Sequence, residues 1–186
     1  MKRSRLMPIL VIPALAAGYY VLGVTPHLGA QPRTPHGSTV QASDRTFMMK
    51  AAAGGREEVE LGRLAQKHAS NDAVRRFGQR MVADHAKANQ ELRDLATSKG
   101  VDLPEKAVQH DSTGDRLALL RGQEFDRQYV NDMVRDHKRD VAEFRHMQST
   151  VSDPDVKAWI DKTLPTLEDH LKTIEGIHAQ MASAQR

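Results

Sequence analysis

Apolar residues recur at helical spacing through four stretches of this chain. Over residues 44–69, Phe47, Ala51, Gly54, Leu61, Ala65 and Ala69 share one face. Over 72–98 the stripe is Val74, Gly78, Met81, His85, Leu92 and Leu95. Over 122–150 it is Val130, Val134, His137, Val141 and Phe144, and over 154–182 it is Trp159, Thr163, Leu167, Ile174 and Ile177. Stop and start signals fall between the stripes. Ser43 or Asp44 can cap the first helix, and Ser70-Asn71-Asp72 breaks and recaps the chain. Gly100 ends the second helix, and Asp153-Pro154 opens the last. Pro165 lies on the face of that helix away from the core. Residues 101–113, with Pro104, read as a crossover loop before a short helix near 115–120. No alternating strand pattern competes. The expectation is an all-α, up-down four-helix bundle over 44–184, with its longest connection between the second and third main helices.

The first 30 residues have a different character. Lys2, Arg3 and Arg5 precede an uncharged run over 6–24, the pattern of an export signal. The run is also near bilayer-spanning length, so a cleaved signal peptide and a retained membrane anchor both satisfy it. Cleavage would fall best after Ala30. Residues 31–43 read as a flexible linker. In either case the positive start places the bundle outside the cytoplasm, periplasmic or anchored facing the periplasm.

The net charge of +3 comes from those three leader cations, which leaves the remainder neutral. A nucleic-acid binder keeps its basic excess in the folded part, so that class is set aside. Aromatics are 4% of the chain, and Ala, Leu, Val and Met must build most of the core. The absence of cysteine excludes disulfides, thiolate metal sites and cysteine nucleophiles.

The candidate chemistry lies inside the stripes. Met81-Val82-Ala83-Asp84-His85 and Met133-Val134-Arg135-Asp136-His137 read almost alike, and each histidine faces the core. Glu58 falls within the first stripe and His170 within the last. All four lie near the midpoints of their helices, and midpoints meet in an antiparallel bundle. Glu58, His85, His137 and His170 are therefore the expected ligands of a core metal ion. Imidazole and carboxylate suit iron, zinc, manganese or copper. Asp84, Asp136 and Asp140 are candidates for orienting the ligands from outside. The competing reading is a buried hydrogen-bond layer that fixes helix register without metal. Glu143-Phe144-Arg145-His146 matches a Glu-x-x-His motif, but its Glu and His point away from the stripe. Met81 and Met133 read as core filler. His68, His110 and His178 read as surface or edge residues.

These motifs, with Glu58-Val59-Glu60-Leu61-Gly62-Arg63-Leu64-Ala65, Phe125-Asp126-Arg127-Gln128-Tyr129 and Leu164-Pro165-Thr166-Leu167-Glu168-Asp169-His170-Leu171, resemble a bacterial family. It is the one numbered 4142 among the domains of unknown function, and the resemblance covers about residues 44–182. It implies a ferritin-like four-helix bundle in exported or membrane proteins, and it implies no activity. Ferritin-like di-iron sites use mostly carboxylates with paired Glu-x-x-His motifs. One inward Glu with three His departs from that set and fits a mononuclear or empty site better. The expected function is an envelope protein that binds metal with little or no catalysis. The alternative is a structural module that meets an envelope partner or its own copy, tied to the membrane if the leader is retained. A ferroxidase or peroxide-consuming enzyme would need an open coordination position, which no sequence feature supplies.

Overall fold

The computed structural model describes residues 40–103 and 113–184. It contains α1 (Ala42–His68), α2 (Asp72–Ser98), α3 (Thr113–Ala118), α4 (Gly122–Thr150) and α5 (Pro154–Ser183), and no strand among the described residues. Helix α1 pairs with α2, and α4 pairs with α5. The hairpins join through α2 against α5 and α1 against α4, with α3 lying on α1 and α4. This is the expected all-α up-down bundle. The leader over 1–30, most of the linker and residues 104–112, including Pro104 and His110, lie outside the described residues. No described helix is long and apolar enough to cross a membrane.

Two helix starts follow the local chemistry. The Asn71 side chain accepts from the backbone N–H of Ala73 at 2.8 Å and of Val74 at 3.4 Å. The Asp153 side chain accepts from Asp155 at 2.9 Å and Val156 at 3.1 Å, with Pro154 in the first turn. Gly100 and Gly122 take φ of 63° and 62°, which glycine adopts without strain. Pro165 is exposed, on the outer face of α5.

The start of α1 differs from the expectation. The helix begins at Ala42 with no side-chain cap, and Val40 is already buried in the core. Asp44 is fully buried, and its Oδ2 accepts from the backbone N–H of Ser152 at 3.0 Å and Asp153 at 2.9 Å. It secures the turn between α4 and α5, not its own helix. Asp126 on α4 does the same for the turn between α1 and α2. It accepts from the N–H of Ser70 at 3.2 Å, the N–H of Asn71 at 2.9 Å and the Ser70 hydroxyl at 2.5 Å. Asp44 and Asp126, Ser70 and Ser152, and Asn71 and Asp153 each stand 82 positions apart. The two hairpins thus repeat one arrangement, and each clasps the other's turn.

Helices α1 and α2 approach closely at Gly62 and Gly78. A Cβ on Gly78 would lie 2.7 Å from both the Gly62 carbonyl oxygen and the Ala65 Cβ. Neither obstacle is a flexible chain end, so Gly78→Ala should push the helices apart. The expected cost is about 1–3 kcal/mol, read as a lower urea midpoint.

The core forms two apolar clusters. One gathers around Phe47, Leu92, Phe144, Trp159 and Ile160, and the other around Leu61, Phe77, Met81, Phe125 and Met133. Between them, at mid-bundle, lies a polar layer.

Candidate metal centre

Each main helix contributes one residue to this layer: Glu58 from α1, His85 from α2, His137 from α4 and His170 from α5. All four are buried. One ring nitrogen from each histidine lies within 4.8 Å of those of the other two. The rings meet at tilted or edge-on angles, with centroids 5.3–6.0 Å apart.

The other nitrogen of each ring lies against an oxygen. His137 Nδ1–H donates to the Met133 carbonyl at 3.0 Å, one turn back on the same helix. His170 Nε2–H donates to Asp84 Oδ2 across from α2 at 2.8 Å. His85 Nδ1 lies 3.0 Å from Glu58 Oε2. The first two bonds set the tautomers of His137 and His170 and leave His137 Nε2 and His170 Nδ1 with free lone pairs, and His85 Nε2 faces no donor. Those three atoms are buried and have no hydrogen-bond partner. Buried polar atoms in proteins are paired in the great majority of cases. Three buried imidazole nitrogens without donors, on rings that meet at mid-bundle, form a candidate ligand set. Their second nitrogens are anchored as in metal-binding histidines.

Glu58 has a different position from the histidines. Its Oε2 orients His85, while Oε1 is without a partner and lies 3.7 Å from His137 Nε2. Asp84 receives His170 and is itself held by Arg80 at 3.1 Å. Burial pulls Asp84 upward, but hydrogen bonds from His170 and Arg80 outweigh it and hold the carboxyl below its ordinary range. Asp140, on the flank of α4, lies near Glu58, and the two carboxyls act on each other. Asp136 touches no imidazole. It pairs with Arg139 at 3.0 Å and acts on Glu58 only through its charge.

Tyr129 belongs to this region and was not among the expected residues. Its hydroxyl is buried without a partner, and burial together with nearby Glu58 raises its pKa. The signal available in sequence was a phenol on the core face, which normally needs a hydrogen-bond partner. His68 also departs from its expected edge position. It is buried, with Nδ1 2.8 Å from Arg121 Nη1 and its ring against Phe125. His146 and His178 are exposed, and Met81 and Met133 pack in the core.

Burial lowers His85 and His170 to about 4 and His137 to about 3; for His137, the neighbouring histidines add to the effect. Burial also raises Glu58 and Asp140 to about 8; Asp136 adds to the first and Glu58 to the second. Near neutral pH the His85–Glu58 contact is therefore one between neutral groups, not an ion pair. The two sets of shifts act oppositely on stability. The unfolded imidazoles take up protons below about pH 6.5 and the folded ones do not, so stability falls as pH drops. The folded carboxyls keep their protons up to about pH 8, so stability falls as pH rises from about 4.5 to 8. Metal-free protein should be most stable between about pH 5 and 7, which melting curves across pH would check.

Solved structures share the fold. A DUF305 fragment from Deinococcus radiodurans matches with a TM-score of 0.68 at 15% identity, covering 76% of this chain and 98% of the fragment. CopM in its Cu(II)-bound form matches at 0.65 and 15% identity, covering 74% of this chain and 97% of CopM. The Cu(I)-bound form matches at 0.64 and 15% identity, covering 76% and 99%. No curated protein sequence matches the chain. The family model for the domain of unknown function DUF4142 matches residues 29–177, and the chain belongs to that family.

Proposed function

We propose that this protein binds one transition-metal ion at mid-bundle through His85, His137 and His170, as an exported protein of the cell envelope. The observation that carries this reading is the set of three buried imidazole nitrogens with no partner. A purely structural hydrogen-bond layer would leave all three unpaired, against the pairing expected of buried polar atoms. Glu58 positions His85 and is the nearest further donor, with its free Oε1. Neutral imidazoles suit copper, zinc and iron; manganese favours oxygen donors and fits less well. Copper draws further support from the two copper-bound CopM structures with the same fold. The envelope location rests on the basic and apolar leader over 1–24.

A ligand that binds only the folded state raises the melting temperature. At a metal concentration 100 times Kd the stabilisation is about 2.7 kcal/mol. For a domain of this size the melting temperature should rise by about 5–10 °C. The measurement is a thermal melt with and without copper, zinc or iron. A protein indifferent to all three contradicts the proposal. Cell fractionation tests location, with recovery in the soluble cytoplasm as the opposing result.

A further inference from the structure

A cavity of about 250 Å³ adjoins the metal layer and is lined from all four main helices. Phe47, Phe144 and Trp159 form an aromatic wall, with ring centroids 5.1–6.2 Å apart. Where the cavity borders the polar layer it is lined by Glu58, His85 and Asn89, all buried, and Glu58 Oε1 lacks a partner. The other charged side chains lining it include both signs. Lys50 and Glu143 face each other at 3.9 Å, and Arg139 lies 3.4 Å from Asp140. That balance favours neither an anionic nor a cationic ligand. The volume exceeds the roughly 150 Å³ that accommodates benzene in an engineered apolar cavity.

We propose that this cavity binds a small uncharged phenol. The ring lies against Phe47, Phe144 and Trp159, and the hydroxyl donates to the oxygen acceptors bordering the metal layer. An aromatic wall with a few placed polar atoms is the usual make-up of a small-molecule site. Glu58 Oε1 supplies a buried polar atom that would otherwise stay unpaired. The cavity borders His85 and shares Glu58 with the metal reading, whereas the aromatic wall and Asn89 stand outside the proposed ligand set.

Trp159 is the chain's single tryptophan, so its indole N–H gives one resonance that reports on the cavity. The test is an NMR titration of chelator-treated full-length protein with phenol, and with toluene as the isostere lacking the hydroxyl. Phenol should shift the resonance saturably, with toluene about tenfold weaker for the lost hydrogen bond. Gly54 also lines the cavity, and a Cβ there would meet nothing within 4 Å. Gly54→Leu should therefore occupy the space while favouring the helix, and weaken phenol at least tenfold with the fold intact by circular dichroism. Absence of a saturable phenol shift overturns the proposal. So does toluene binding as tightly as phenol, benzoate or benzylamine binding more tightly than phenol, or unchanged affinity in Gly54→Leu. Metal content, measured separately, leaves failure here distinct from failure of the metal site.

Discussion

Replacing Asp126 by alanine should lower stability by on the order of 3 kcal/mol and the melting temperature by roughly 10 °C. The carboxylate is buried on α4 and accepts from two backbone N–H groups and one hydroxyl at the α1–α2 turn. Alanine removes the shared partner of three donors where the hairpins meet, and hydrogen bonds to a charged group contribute about 1.5–3 kcal/mol, more than neutral ones. Asp126→Asn retains one acceptor oxygen and should lose about half as much. Asp44→Ala should behave like Asp126→Ala, because it strands the Ser152 and Asp153 N–H groups at the opposite turn. Ser43→Ala should change little, since its hydroxyl only touches Asp44 from an exposed position. Urea unfolding of the four variants checks the ranking. A surface-like effect for Asp126→Ala would mean that the two turns are not held by these carboxylates.

The second large effect concerns Asp84. It receives His170 Nε2–H at 2.8 Å and so directs the other ring nitrogen toward the layer. Asn at this position can offer an oxygen but no charge, and it can present its NH₂ instead, which would favour the wrong imidazole tautomer. Asp84→Asn should weaken metal affinity by about 10–100-fold, the usual cost of losing such an outer partner. Arg80 bridges Asp84 and Asp169, so Arg80→Ala should weaken affinity less, by freeing the Asp84 side chain. Competition titrations against a chelator of known affinity would measure both. Unchanged affinity in Asp84→Asn would place His170 outside the metal's ligand set.

Much of this arrangement was legible in the sequence because a helix has a fixed period. The stripes through Phe47, Met81, Val141 and Leu167 predict the four long helices. The same period brings His85, His137 and His170 inward at comparable heights. What periodicity cannot convey is which nitrogen of each ring is free. That depends on acceptors elsewhere in space: Asp84 on another helix, Glu58 on another again, and a carbonyl one turn back. Asp44 shows a second limit. Next to a helix start it reads as a cap, yet its partners lie 108 and 109 residues away. The visible likeness between the sequences around His85 and His137 is also not the structural repeat. The repeat pairs α1 with α4 and α2 with α5, so Asp44 matches Asp126 and Asn71 matches Asp153. At that offset the counterpart of His85 is Leu167. Sequence likeness around the histidines reflects two helices facing the same polar layer.

Elemental analysis by mass spectrometry decides whether the three histidines hold a metal. The protein would be purified without a histidine tag, beside the triple variant His85→Ala, His137→Ala, His170→Ala, and both exposed to one equivalent of copper, zinc or iron before desalting. Close to one metal ion per chain is expected in the parent and none in the folded variant. A parent that retains no metal, or a variant that retains as much as the parent, would contradict it.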